Sequence, residues 1–298
     1  MDTRKQGIIN AIIAYVLWGV YPLYWHLLRA VSPTELVITR TFWAFVTLFI
    51  IILILRLHTS LWKTIKDLVK DKKKIILLVL ATALLSVNWF VFTFAIVSGR
   101  LLEASLGYYI NPILNILIGV VFLKEKLNKY QVVAAIMVFV AVLFLTISYG
   151  VFPWISLVLA FSFGCYGVVK KFIQLDSLFG LFLETTLILP ISSFLFLFWL
   201  YNGTSILLQG DILIIFLMIA SGFITVLPLF FFAKAVKQLP LSIIGFLQYL
   251  GPSINMVLAI FVLGELFSIQ HFITFAIIWA ACLIFSTSHW LYKPRDSK

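Results

Sequence analysis

The stretch YYINPILNILIGVVFLKEK, residues 108–126, returns 140 residues later as QYLGPSINMVLAIFVLGEL, residues 248–266. Tyr109, Pro112, Asn115, Leu123 and Glu125 align with Tyr249, Pro252, Asn255, Leu263 and Glu265. Upstream, Phe90, Phe92 and Ala95 answer to Phe230, Phe232 and Ala235. Each copy is strongly apolar and carries a proline at mid-helix depth. Hydrophobic halves with Pro-interrupted helices at corresponding positions point to a transporter whose site lies at the repeat interface.

Composition agrees. Of the 298 residues, 63% are hydrophobic and 11% charged, with mean hydropathy +1.14, whereas a soluble domain has about a quarter of its residues charged. A helix needs roughly 20 apolar residues to cross the hydrocarbon. Ten such runs fall near 8–28, 35–55, 75–97, 103–123, 130–149, 152–170, 178–201, 211–234, 241–263 and 269–291. They are continuous rather than alternating, which excludes a β-barrel. The first run exceeds a signal peptide's apolar core and no small-residue cleavage site follows it. Cys165 and Cys282 both fall inside spans, so no structural disulfide is expected, and no metal-ligand spacing occurs.

The net charge of +11 is distributed as an orientation signal. Of the 22 basic residues, all but Arg29, Arg100 and Arg40 fall in segments sharing the side of the N-terminus. The positive-inside rule then places both termini in the cytoplasm of a multi-pass protein of the cytoplasmic membrane. Five spans per half is an odd number, so the second half enters the membrane inverted. The expected fold is all-α: ten transmembrane helices in two inverted-topology five-helix repeats, residues 1–149 and 150–298, the latter ending in a short cytoplasmic tail. Leu17-Trp18-Gly19-Val20-Tyr21 and Ser162-Phe163-Gly164-Cys165-Tyr166 are loose counterparts in the first span of each half. Residues 60–74 alternate apolar and basic positions at helical spacing and read as an amphipathic helix on anionic lipid.

A charge at bilayer centre costs about 2.5–3.5 kcal/mol, so polar groups inside spans are the functional candidates. Tyr108, Asn111 and Asn115 share one face of the fourth span; Gln248, Pro252 and Asn255 share one face of the ninth. With Asn88, Trp89 and Tyr249, and with Trp18 and Tyr21 on the first span, they are the expected lining of a substrate cavity. Amides also glue membrane helices together, at about 0.6 kcal/mol each. Pro112 and Pro252 are the candidate hinges. Arg40 and Glu184 are the charges clearly inside spans, at depths too different for direct pairing. The expected gate pairs are Arg40 with Glu103 and Glu184 with Lys234; static ion pairs fixing helix register are the alternative. A desolvated carboxylate at Glu184 makes protons the candidate coupling ion. Trp25, Trp62, Trp154, Trp199 and Trp290 read as interface anchors.

Asn88-Trp89, Leu102 through Tyr108 (LEASLGY), Ile110-Asn111-Pro112, Glu184-Thr185, Leu241-Ser242 and Gly245 through Pro252 (GFLQYLGP) resemble the RarD-type branch of the EamA-containing drug/metabolite transporters. The resemblance covers nearly the whole chain and implies ten helices in two inverted repeats, with a substrate path between the halves. The chain departs from the family pattern at Phe94, Val97, Ser98 and Thr39.

These readings converge on a secondary transporter, a permease acting as an exporter of a small organic metabolite or drug-like molecule. Its partners are that solute, membrane lipid and protons; no cofactor, metal or nucleic acid is implied. A nucleotide-binding loop is absent from the sequence, so ATP does not drive it directly. The alternatives are an intramembrane transferase, which needs a catalytic constellation at membrane depth, and a passive channel, which needs a ring-forming filter.

Overall fold

In the computed structural model, residues 3–28, 30–97, 101–148, 150, 153–209, 211–262 and 268–291 are described. Every element among them is an α-helix. In hydrocarbon a helix satisfies its own backbone, so each long apolar run closes its hydrogen bonds internally. The membrane helices are α1 (Thr3–Leu27), α2 (Pro33–Ile54), α4 (Lys72–Val97), α5 (Leu101–Val121), α6 (Lys129–Ser148), α7 (Trp154–Phe172), α8 (Ser177–Tyr201), α10 (Ile212–Gln238), the pair α11 (Leu241–Gln248) and α12 (Leu250–Phe261), and α13 (Ile269–Leu291). Counting α11 and α12 as one span, nine are long and apolar enough to cross a membrane; the tenth is α5, with a shorter apolar stretch, Gly107–Val121. The chain is an all-α, multi-pass membrane protein. The loop residues Gly264, Glu265 and Leu266, the Leu263 mate of Leu123, and the tail beyond Leu291 lie outside the described residues.

Local chemistry sets the boundaries. Pro33 occupies the first turn of α2, where its missing N–H costs nothing. Ser32 accepts from the Glu35 N–H, and Asp176 accepts from the Leu178 and Phe179 N–H groups to start α8. The two proline helices differ. Pro252 removes the hydrogen bond to the Gln248 carbonyl, and the helix breaks at Tyr249 between α11 and α12. Pro112 sits inside an unbroken α5, where the Tyr249 hydroxyl donates to the Tyr109 carbonyl at 3.1 Å. The broken helix thus supports its partner's proline turn.

The amphipathic segment is α3 (His58–Lys70), ending before Asp71 accepts from the Lys73 and Lys74 N–H groups to open α4. It is therefore shorter than the expected 60–74. Trp62 and Val69 are exposed on it while Leu68 is buried. A four-residue helix, α9 (Ile206–Gln209), was not anticipated. Glu35 pins it from α2, accepting from the Ser205 hydroxyl at 2.7 Å and the Ile206 N–H at 2.8 Å.

Helix contacts come in matched sets. α5 packs on α7 and α12 on α1; α1 packs on α10 and α7 on α4; α2 packs on α10 and α8 on α4. The remaining large contacts, α2 with α8, α5 with α11 and α6 with α13, join counterpart helices directly. Two glycines permit the closest crossings. A Cβ at Gly222 would stand 2.2 Å from the Trp43 backbone, and one at Gly245 would stand 2.5 Å from the Pro112 carbonyl oxygen. Helices alternate in direction, so the starts of α1, α4 and α8 share one face with the ends of α2, α7 and α10. This is the N-face below.

Candidate functional site

The polar groups inside the helices form three layers. In the amide layer, α5 presents Asn111 and Asn115 to Gln248 at the end of α11. Asn115 Nδ2 donates to Gln248 Oε1 at 2.8 Å, and Gln248 Nε2 donates to Asn111 Oδ1 at 2.5 Å. Asn111 Nδ2 then donates to the Ala160 carbonyl of α7 at 2.7 Å. All three side chains are buried. Asn88 joins a neighbouring contact, donating to the Leu159 carbonyl at 2.9 Å and the Ser162 hydroxyl at 3.0 Å. The two expected faces therefore meet, but they bond each other and α7 rather than standing open. Asn255 does not join them, and its buried Oδ1 has no hydrogen-bond partner among the described residues. Trp18 is packed between Tyr15, Phe163 and Phe232.

The second layer lies toward the N-face. Lys170 Nζ and Glu184 Oε1 are 2.6 Å apart, and both side chains are 1% exposed. The Tyr166 hydroxyl donates to Glu184 Oε2 at 3.0 Å. This corrects the expected pairing with Lys234, whose ammonium instead lies 4.3 Å from the centroid of the Phe230 ring. Lys234 sits on α10, and Lys170 reaches the carboxylate from the adjoining α7. Nor is Glu184 a lone desolvated carboxylate, the premise of the proton argument. Around this pair the N-face is tied shut. Lys171 donates to the Leu239 carbonyl at 2.7 Å, and Lys237 to the Leu175 carbonyl. Asn10 donates to Gln238 at 2.9 Å. Glu125 accepts from the Leu241 and Ser242 N–H groups at 2.7 and 3.0 Å, neutralising the start of α11.

The third layer lies about 10 Å in from the opposite face, counting 1.5 Å per residue from the start of α2. Arg40 projects between two indoles, its guanidinium carbon 5.6 Å from the Trp25 ring centroid and 5.1 Å from that of Trp89. Trp25 thus meets a partly buried cation rather than acting only as an anchor. Tyr108 is within electrostatic range of Arg40 and half exposed. The side chain of Glu103, the expected partner of Arg40, lies outside the described residues. On α1, one turn from Trp25, the Tyr21 hydroxyl is buried without a partner among the described residues.

Between the second and third layers is a cavity of about 10 Å³, walled by α2, α4, α8 and α10. Trp89 closes it toward Arg40 and Glu184 toward Lys170, with Ala44, Leu85 and Thr225 between. A void of that size is near the lower limit for one water. Among the described residues, no three His, Cys, Asp or Glu side chains gather as a metal site requires.

Sequence reasoning missed Lys170, Tyr166 and Trp25. Tyr166 and Lys170 are spaced i, i+4 and share a helix face, which was the available signal. Lys170 sits at the end of α7 and was counted as a loop charge.

A sequence model of the EamA-like transporter family matches residues 5–147, which run from α1 through α6. The chain is 42% identical over 295 residues to an uncharacterized transporter, YojE, of Bacillus subtilis (strain 168), covering 99% of this chain and 97% of that one. It is 35% identical over 300 residues to the protein RarD of Escherichia coli (strain K12), covering all of both. A solved crystal structure of a protein shares the fold with TM-score 0.70 at 16% identity, covering 95% of this chain and 98% of that chain.

Proposed function

Because the chain belongs to the RarD-type branch of the EamA-like transporters, we propose that it is a secondary transporter exporting a small organic solute across the cytoplasmic membrane by alternating access. In this reading residues 1–149 and 150–298 are inverted repeats and the lysine-rich N-face is cytoplasmic. The matched helix contacts support the repeat, as does a family unit that ends with α6.

The observation that carries the reading is the central cavity. Its four walls are the second and third membrane helices of each half, so it straddles the relation that would exchange the halves. It is too small for an organic solute, and the ties across the N-face hold that side shut. Transport then requires those ties to part while the opposite face closes. The Lys170–Glu184 pair is among the contacts that must part, which makes it the proposed coupling site. Catalysis has no part in this reading: the amide layer and the Lys170–Glu184–Tyr166 cluster are bonded internally.

Reconstitution in proteoliposomes, assayed with amino acids, aromatic metabolites and amphenicols, tests the proposal. We expect exchange of at least one class above empty liposomes, stimulated by a pH gradient, and abolished by Ala44→Leu, which fills the void. Exchange that survives Ala44→Leu in a folded protein would remove the cavity from the path. Cysteines at positions 124 and 264 should label from opposite sides; labelling from one side would end the inverted-repeat reading.

A further inference from the structure

Arg40 is placed where a charge is costly, yet its surroundings are aromatic rather than acidic among the described residues. The two indoles of Trp25 and Trp89 lie against the guanidinium. Cation–π contact stabilises the cation but supplies no counter-charge. The guanidinium keeps five N–H donors in a planar fork shaped for a carboxylate, and its buried Nε has no acceptor among the described residues. A positive charge so held inside a span marks a substrate pathway or a ligand counter-ion.

We propose that Arg40 is the recognition site for the carboxylate of a small organic anion, whose aromatic or alkyl body lies along Trp89 toward the central cavity. This rests on the transporter reading and names its substrate class. Trp89 belongs to both the Arg40 layer and the cavity wall, so the charged and apolar parts of such a solute find adjoining surfaces. Tyr108, half exposed beside Arg40, adds a hydroxyl that can donate to the same carboxylate. At the far end of the cavity Glu184 is already neutralised by Lys170, so the cavity offers no free negative charge to a cationic solute. A neutral solute would leave the Arg40 charge uncompensated. The acid is the class that completes the site.

The test is binding to the purified full chain, read by quenching of intrinsic tryptophan fluorescence, with benzoate, benzamide, benzylamine, hexanoate and hexanamide as probes. We expect each acid to bind at least tenfold more tightly than its amide, with benzylamine weakest. Arg40→Gln should erase the preference for acid over amide. Arg40→Lys, which keeps the charge but loses the fork, should retain a reduced preference even if Arg40→Gln does not fold. Glu103→Gln removes the carboxylate that the sequence pairs with Arg40 and should leave the preference intact or larger. Equal binding of acid and amide, failure of every acid to bind, or a preference that survives Arg40→Gln would overturn the proposal. Collapse of the preference in Glu103→Gln as in Arg40→Gln would also overturn it, because Arg40 would then be that residue's structural partner. The two readings fail separately. Liposomes that exchange only neutral or cationic solutes keep the transporter and sink the anion site. Acid-selective quenching without exchange of any solute does the reverse.

Discussion

Two charges enter the membrane from opposite faces, and the protein treats them differently. Glu184 meets Lys170 at 2.6 Å and Tyr166 at 3.0 Å, with carboxylate and ammonium both 1% exposed. Arg40 meets the faces of two tryptophans. The first arrangement is complete within the protein: each charge has its counter-charge. The second leaves, among the described residues, a net positive charge and unused donors beside a cavity. A self-neutralised pair suits a contact that must be broken for the helices to move, whereas an uncompensated cation suits a group whose counter-charge arrives with the solute.

The largest expected effect attacks the complete side. Lys170→Met strands a carboxylate beneath the N-face, and breaking a buried pair in this way costs about 3–5 kcal/mol. The double variant Lys170→Met with Glu184→Leu removes both charges and should recover most of that loss. Denaturant unfolding in detergent micelles reads both variants. Equal loss in single and double variants would mean the pair contributes through packing and not through charge.

A smaller effect separates the amide layer from both. Gln248→Ala leaves Asn115 Nδ2 and Asn111 Oδ1 only their mutual 3.3 Å hydrogen bond, and under-satisfying buried polar groups costs up to about 1–3 kcal/mol. Gln248→Glu keeps the acceptor toward Asn115 but sets a carboxylate against the Asn111 oxygen, so it should rescue little. If Gln248→Ala unfolds like the native protein, these amides are solvated, and the layer belongs to an open path rather than to the packing.

How much of this the sequence carried depended on the range of each interaction. The ten spans were legible because an apolar run of membrane length has one solution in lipid. The break at Tyr249 follows from Pro252, a local covalent fact, while the intact turn at Pro112 depends on a hydroxyl arriving from another helix. Arg40 announced itself as a charge inside a span, and the faces of Asn111, Asn115 and Gln248 followed from helical periodicity. Their partners did not. Glu184 was matched with Lys234 by depth, whereas which of two lysines at similar depth reaches it depends on helix rotation and neighbours. Lys170 looked like a loop charge because its Cα is near the end of α7, and only its side-chain direction carries it inward. The helix α9 was hidden because four residues are too few for a periodic signal.

The smallest effect on stability comes from the open side, and its smallness is the point. Replacing Arg40 by Met removes two cation–π contacts, each worth about 0.5–1 kcal/mol at exposed sites and about 2 kcal/mol or more when desolvated. It also removes the cost of holding a cation inside a span, about 2.5–3.5 kcal/mol at the bilayer centre and less at the shallower depth of Arg40. These terms nearly cancel, so Arg40→Met should unfold within about 1 kcal/mol of the native protein. A change of the size expected for Lys170→Met would instead place Arg40 in a structural ion pair, and the contrast between the two charges would vanish. A folded Arg40→Met protein that no longer prefers acids would sharpen it, because the loss would then fall on recognition and not on the fold.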